Sequence, residues 1–306
     1  MRKTCLDTIY KLAAKDSKVI FVGSDLGPGV LNNFKKQFPN RFFMEGVSEQ
    51  SIIGIAAGMA MEGYKVYVNT ISTFITRRCF EQIVVDLCLH NLPVKLIGNG
   101  GGLVYAPLGP THQAIEDLSI MRTLPNMSII SPCDEVEMRN LIEQTKNHPS
   151  PIYVRIARGG EKIVTNKKEK VLFGKGLLKI IPKDYLIIST GVMTQIAMDA
   201  AKRLKKEKNI NCGVIHFGTV KPLDQKILLK WIPKVKKVLT IEENFLDGGF
   251  GSSILEFVND KLKSHSHKIS RIGLKNKFIE NYGTQDQLFQ KQNLTSEYII
   301  KKFNSF

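Results

Sequence analysis

Three short stretches of this 306-residue chain combine residue types that can move protons or hold anions. In the first, Gly46-Val47-Ser48-Glu49-Gln50-Ser51-Ile52-Ile53-Gly54-Ile55-Ala56-Ala57-Gly58-Met59-Ala60, one carboxylate stands at the mouth of a helix whose other residues are mostly small and apolar. Such a helix can pack very closely against neighbours, and taken alone Glu49 is a first-turn acid favoured by the helix dipole. The second, Gly109-Pro110-Thr111-His112-Gln113, follows the loop Gly100-Gly101-Gly102-Leu103-Val104-Tyr105-Ala106-Pro107-Leu108. Its imidazole can exchange a proton in a cleft or simply face solvent. The third, Ser72-Thr73-Phe74-Ile75-Thr76-Arg77-Arg78, sets an aromatic and two guanidiniums at a strand-to-helix junction. Taken alone, Phe74 belongs to a core and Arg77 and Arg78 to solvent.

The elements that must position these residues follow from hydrophobic patterning. Short apolar runs alternate with helix-length amphipathic segments, the pattern of an α/β architecture with a largely parallel sheet. Expected strands in the first part are Val19–Val22, Lys65–Val68, Val94–Ile97, Ser128–Ile130 and Ile152–Arg155, with helices over Ser51–Glu62 and Glu81–Cys88. These strands are apolar throughout rather than alternating, which suits a sheet covered on both faces. After Arg158-Gly159-Gly160 the chain turns polar and lysine-rich from Glu161 to Lys170, which predicts a linker. Apolar runs then resume, with strands expected at Leu186–Ile188, Gly213–Ile215 and Val238–Thr240 and helices at Gln195–Lys206 and Ser252–Lys261.

Composition excludes more than it selects. A chain that is 43% hydrophobic and 24% charged is ordinary globular material and suits two domains with proper cores. No stretch is long and apolar enough to span a bilayer, and the first residues lack the apolar core of a signal peptide, so no membrane role and a cytoplasmic location are expected. The five cysteines are scattered and never spaced as CxxC, which predicts free thiols and no metal site. The net charge of +16 is mostly lysine spread along the chain, not a stripe, so nucleic acid is not an expected partner.

Together the three stretches resemble the transketolase family, including 1-deoxyxylulose-phosphate synthases. The resemblance rests on Glu49-Gln50, Ser72-Thr73-Phe74, Gly109 to Gln113, Pro125-Asn126-Met127 and Pro132-Cys133-Asp134-Glu135 in the first part. In the second it rests on Val220-Lys221-Pro222-Leu223-Asp224, Glu242-Glu243, Gly248-Gly249-Phe250-Gly251 and Tyr282-Gly283-Thr284-Gln285-Asp286. It implies two domains: a thiamine-diphosphate pyrimidine-binding α/β/α domain over 1–160 and a transketolase C-terminal α/β domain over 173–306, joined by 161–172. It further implies that Glu49 is buried and hydrogen-bonds N1′ of the cofactor's aminopyrimidine, that Phe74 packs on that ring, and that Asp25 and Leu26 flank it. Arg77, expected with them among the cofactor-binding residues, stands where the synthases carry an arginine and transketolases an aromatic. His112 matches a histidine that contacts the hydroxyl of the two-carbon donor fragment, and Arg158 and Arg2 match arginines that bind a sugar phosphate.

Family members carry an additional N-terminal domain that binds Mg²⁺ and the diphosphate, and no segment of this sequence matches it. The resemblance therefore implies the C-terminal subunit of a split transketolase, inactive alone and completed by an N-terminal-type partner in an α₂β₂ assembly. Its expected reaction is transfer of a two-carbon ketol unit from a ketose to an aldose. Leu108 replaces the acidic residue that transketolases place before the histidine motif, so a less polar acceptor pocket and an unusual or modified sugar are expected. The beta subunit of a 2-oxo-acid dehydrogenase, a decarboxylating synthase and a non-catalytic scaffold subunit are the alternatives.

Overall fold

The computed structural model describes residues 1–24, 31–262, 265 and 268–305. Asp25 and Leu26 lie outside the described residues. The chain folds into two parallel-rich sheets with helices packed against them. The first holds β1 (Val19–Gly23), β2 (Phe42–Met44), β3 (Lys65–Ile71), β4 (Lys95–Asn99), β5 (Ser128–Ile130) and β6 (Ile152–Ile156). The second holds β7 (Leu177–Ile180), β8 (Tyr185–Thr190), β9 (Cys212–Phe217), β11 (Lys237–Phe245) and β12 (Ile269–Leu274). Strand β10 (Thr219–Lys221), from the second half of the chain, crosses over and pairs antiparallel with β5. The seven-stranded order is therefore β10-β5-β6-β4-β3-β1-β2, and the five-stranded order is β12-β11-β8-β9-β7.

Strands β1, β4 and β6 are buried along their whole length, as their largely apolar runs require. Successive side chains of β1 still part to opposite faces: Val19 and Phe21 join the core under helices Arg2–Lys15 and Glu135–Thr145, and Ile20 and Val22 join the core under helix Glu49–Met61. Each such large side chain contributes about 1.5–3 kcal/mol by leaving water. The second core runs from β8, β9 and β11 onto helices Met193–Lys208 and Ser296–Asn304. Among the described residues no helix is long and apolar enough to cross a membrane.

Four strands had no counterpart in the patterning. Phe42–Met44 and Thr219–Lys221 are only three residues long, while Leu177–Ile180 and Ile269–Leu274 are half-buried edge strands carrying a lysine and an arginine. The segment after Gly160 is tied down. Asp134 caps helix Glu135–Thr145 by accepting from the Val136 and Glu137 amides at 3.0 Å, and its other oxygen accepts from Val164 and Thr165 at 2.8 and 2.6 Å. Burial opposes the charge on Asp134, but these amides outweigh it and hold its carboxyl below the usual range.

Candidate functional site

Glu49 opens its helix one residue after Ser48, and its side chain is 1% exposed. One carboxylate oxygen accepts from the Ser24 hydroxyl at 3.0 Å, at the C-terminal end of β1. The other accepts from Arg78 Nη1 at 2.5 Å. The Arg78 guanidinium carbon lies 4.6 Å from the centroid of the Phe74 ring, a cation stacked on an aromatic face. On its other side Phe74 meets His112 edge-on, centroid to centroid 5.3 Å at 64°. Glu49, Phe74 and His112 are thus brought into one contiguous group, with Ser24 and Arg78 completing it.

Local winding explains why Phe74 and Arg78 meet. The helix entered after β3 is wound in wide π-type turns over Phe74–Arg78 and again over Ile83–Leu89, a form that recurs at functional sites. Phe74 is half-buried, not part of a core, so its ring remains partly open. Arg77, one residue earlier than Arg78, takes a different path. Its guanidinium pairs with the Glu116 carboxylate and donates to the Gln113 carbonyl at 2.8 Å, fixing the loop that carries His112. Arg77 therefore reaches the site through that loop and not across Phe74.

The same loop is held from the second half of the chain. Gly109 has φ +78°, and a β-carbon there would stand 2.9 Å from the Tyr282 ring. Gly102, at φ +67°, lies so close to Glu243 that a β-carbon would come within 2.3 Å of its carboxyl carbon. Glu243 accepts from the Leu103 amide at 2.7 Å and from Gln285 Nε2 at 2.8 Å. Burial pushes its carboxyl up to about 7, against the pull of Arg155. Arg155 in turn donates to Asp117 at 2.8 Å and to the Ala114 and Glu243 carbonyls at 3.0 and 2.8 Å, with Tyr153 donating to the same Asp117 oxygen.

The arginines that the resemblance assigns to a sugar phosphate line two clefts whose lining does not include Glu49, Phe74 or His112. Arg158 is exposed and lines a cleft of about 280 Å³ with Lys162, Gln195, Gln285 and Asp286. Arg2 lines a different cleft with Asp7 and Tyr10. The amino group of Met1 pairs with Glu161 at 3.1 Å, which anchors the start of the Arg2 helix.

A second polar cluster joins the two halves. His216 on β9 is hydrogen-bonded through Nε2 to Glu137 at 2.7 Å and through Nδ1 to the Thr194 hydroxyl at 2.6 Å, and Glu137 also accepts from the Cys133 amide at 2.7 Å. Cys133, Glu137 and His216 place three possible metal ligands within 4.8 Å of one another. Both imidazole nitrogens are already engaged, so the arrangement is a closed hydrogen-bonded latch. Burial works against the charge on Glu137, but His216 and the Cys133 amide outweigh it and hold its carboxyl below the usual range.

The family resemblance singled out Glu49, Phe74 and His112, which the structure brings together, but it did not point to Ser24 or Arg78. A Gly-Ser step at the end of a strand was the only signal for Ser24, and the doubled arginine gave no sign that its two members part company.

An α/β chain of two parallel-rich sheets, with a buried acid at a helix mouth beside an aromatic and a histidine, is the class these observations define. Residues 1–160 match the transketolase pyrimidine binding domain and residues 174–299 the transketolase C-terminal domain, and the chain belongs to the transketolase family. It is 37% identical over 295 residues to a 1-deoxy-D-xylulose-5-phosphate synthase of Clostridium perfringens, covering 96% of this chain and 47% of that protein. It is 39% identical over 275 residues to the synthase of Halothermothrix orenii, covering 89% and 43%. The chain thus spans about half the length of the curated relatives it matches. Among solved structures, a split-gene transketolase described as an inactive beta4 tetramer superposes with a TM-score of 0.89 at 30% identity, covering 98% of this chain and 95% of that one. A transketolase variant from Pichia stipitis shares the fold, with a TM-score of 0.80 at 21% identity over 99% of this chain and 45% of its own.

Proposed function

We propose that this chain is the pyrimidine-side half of a thiamine-diphosphate enzyme that moves a two-carbon ketol unit from a ketose to an aldose-type acceptor. Residues 1–160 form the pyrimidine-binding domain, 161–172 the connection and 173–306 the C-terminal domain. The observation that carries this reading is the contiguous group of buried Glu49, half-open Phe74 and His112. These residues fit the cofactor's aminopyrimidine: a carboxylate for a ring nitrogen, a flat face to stack on, and buried side-chain polar atoms of Thr73 and Gln113 without a protein partner among the described residues.

Thiamine diphosphate, when bound, supplies the nucleophilic carbon that attacks the ketose carbonyl. Glu49 holds a proton at the pyrimidine nitrogen, and Phe74 sets the plane of the ring. His112, with Nδ1 2.8 Å from the Thr111 hydroxyl, is oriented to hydrogen-bond the hydroxyl of the donor fragment. Arg77 keeps His112 in place through Glu116, and Arg158 meets the phosphate end of the sugar. Mg²⁺ and the diphosphate are assigned to a transketolase N-terminal-type subunit, in an α₂β₂ assembly. Support for such a partner comes from the exposed side of helix Glu49–Met61, where Gly54 and Gly58 have nothing within 4 Å of a β-carbon and Met61 is 57% exposed. The neighbouring Val47 and Leu89 are 74% and 73% exposed.

The names of the curated relatives favour a second reading, a decarboxylating synthase with a 2-oxo acid as donor. Calorimetric titration of thiamine diphosphate with Mg²⁺ into the chain alone and into its mixture with an N-terminal-type subunit tests the split enzyme, and binding confined to the mixture is expected. Turnover of that mixture with a ketose phosphate against pyruvate as donor separates the two reactions. Turnover unchanged by Glu49→Gln would overturn the assigned chemistry.

A further inference from the structure

Among the described residues two side chains bond the Glu49 carboxylate, and one of them occupies the place the proposed function needs. The Ser24 hydroxyl satisfies one oxygen from inside the fold. Arg78 satisfies the other from outside, and the same guanidinium lies over the Phe74 ring. A planar, nitrogen-bearing group that stacks on Phe74 and places a nitrogen on Glu49 is what an aminopyrimidine must also be. The two cannot be there together.

We propose that Arg78 is a displaceable cover that holds the aminopyrimidine's place and leaves when the cofactor enters. This rests on the reading above that Glu49 and Phe74 take that ring. The asymmetry of the pair supports it: the Glu49 side chain is 1% exposed and that of Arg78 is 42% exposed. The carboxylate cannot move to water, whereas the guanidinium can swing out on its long stem with little desolvation to overcome. Until it does, it supplies the counter-charge a buried carboxylate requires. The adjacent Arg77 marks the contrast, because Glu116 and the Gln113 carbonyl already hold it in place. Of two neighbouring arginines, one is committed to the loop and one is free to exchange its partner.

A cover of this kind lowers the apparent affinity for cofactor by the fraction of molecules in which it is open. In the complex of this chain with an N-terminal-type subunit, Arg78→Met keeps the stem and removes the flat cation. Calorimetry should then show thiamine diphosphate with Mg²⁺ bound about three- to tenfold more tightly than by the wild type. The melting temperature of the chain without cofactor should fall by roughly 2–4 °C. Arg78→Lys keeps the charge without the stacking head and should tighten binding by a smaller factor, so it serves if the methionine variant does not fold. Phe74→Ala is the control for the site and should weaken binding. Unchanged or weaker binding in the Arg78 variants, with Phe74→Ala weakened, overturns the cover and leaves the site standing. Binding unaffected by Phe74→Ala removes the aminopyrimidine from this site, and the cover falls with it.

Discussion

Two clusters in this protein use the same ingredients, a hydroxyl, a carboxylate and a nitrogen base, to opposite ends. In the latch, Thr194, Glu137 and His216 are sealed between the halves, with the imidazole and carboxylate side chains 0% and 2% exposed. In the candidate site, Ser24, Glu49 and Arg78 form a matching chain, yet only its hydroxyl and carboxylate are sealed and the Arg78 side chain is 42% exposed. The difference lies in which partner can return to water. Where neither can, breaking the pair strands a charge and the contact serves stability. Where one can, the contact is exchangeable, and the buried acid is available to a different partner.

The sharpest way to break this comparison is to remove the acid from each cluster. Glu137→Ala leaves His216 Nε2 and the Cys133 amide without their buried partner and should lower unfolding stability by ~3–5 kcal/mol, read from the shift in urea midpoint. Glu49→Gln keeps a hydrogen-bonding group beside Ser24 and Arg78 and should stay within ~1 kcal/mol of wild type in the same assay. Equal losses would erase the distinction. Next in size is Asp134→Ala, which removes a helix cap and both amide contacts to Val164 and Thr165. A loss of ~2–3 kcal/mol is expected, with faster proteolysis within 161–170.

Acidity separates buried acids of opposite sign. Glu137 and Asp134 titrate lower in the folded chain than in the unfolded one, so the stability they contribute is present above about pH 4.5 and is lost as pH falls through their folded values. Glu243, pushed up to about 7 by burial, and Glu242, pushed up to about 8 by burial, behave in reverse. Between about pH 4.5 and 7 the folded chain keeps protons that the unfolded chain releases, so their contribution declines as pH rises. Glu243→Gln should flatten that decline by up to ~3 kcal/mol, and Glu137→Gln should flatten only the acid limb, both followed by denaturant titration across pH. The smallest effect belongs to Arg77→Ala: within about 1 kcal/mol in stability, but faster amide exchange through 109–113 as the His112 loop loosens.

What was legible follows the same division between closed and open. Buried strands such as Val19–Gly23 and Ile152–Ile156 announce themselves as apolar runs because water is excluded from both faces. Glu49 and His112 stood out as an acid before small residues and a histidine among glycines and prolines, but only the joint family motifs gave them roles. The latch was invisible, since Glu137 and His216 are 79 residues apart and each reads as ordinary in its own helix or strand. Arg78 was hidden for another reason: its partner depends on π-type winding, which the residue pattern does not encode.

Strand β10 carries a consequence for how such a chain can be divided. The two family domains meet the sequence in separate stretches, yet the outer edge of the first sheet is closed by Thr219–Lys221 from beyond the second match's start. A gene fragment ending near residue 170 would present β5 as a bare edge, open to pairing with any passing strand. Dividing the two halves therefore uncovers that edge unless the clasp travels with its sheet.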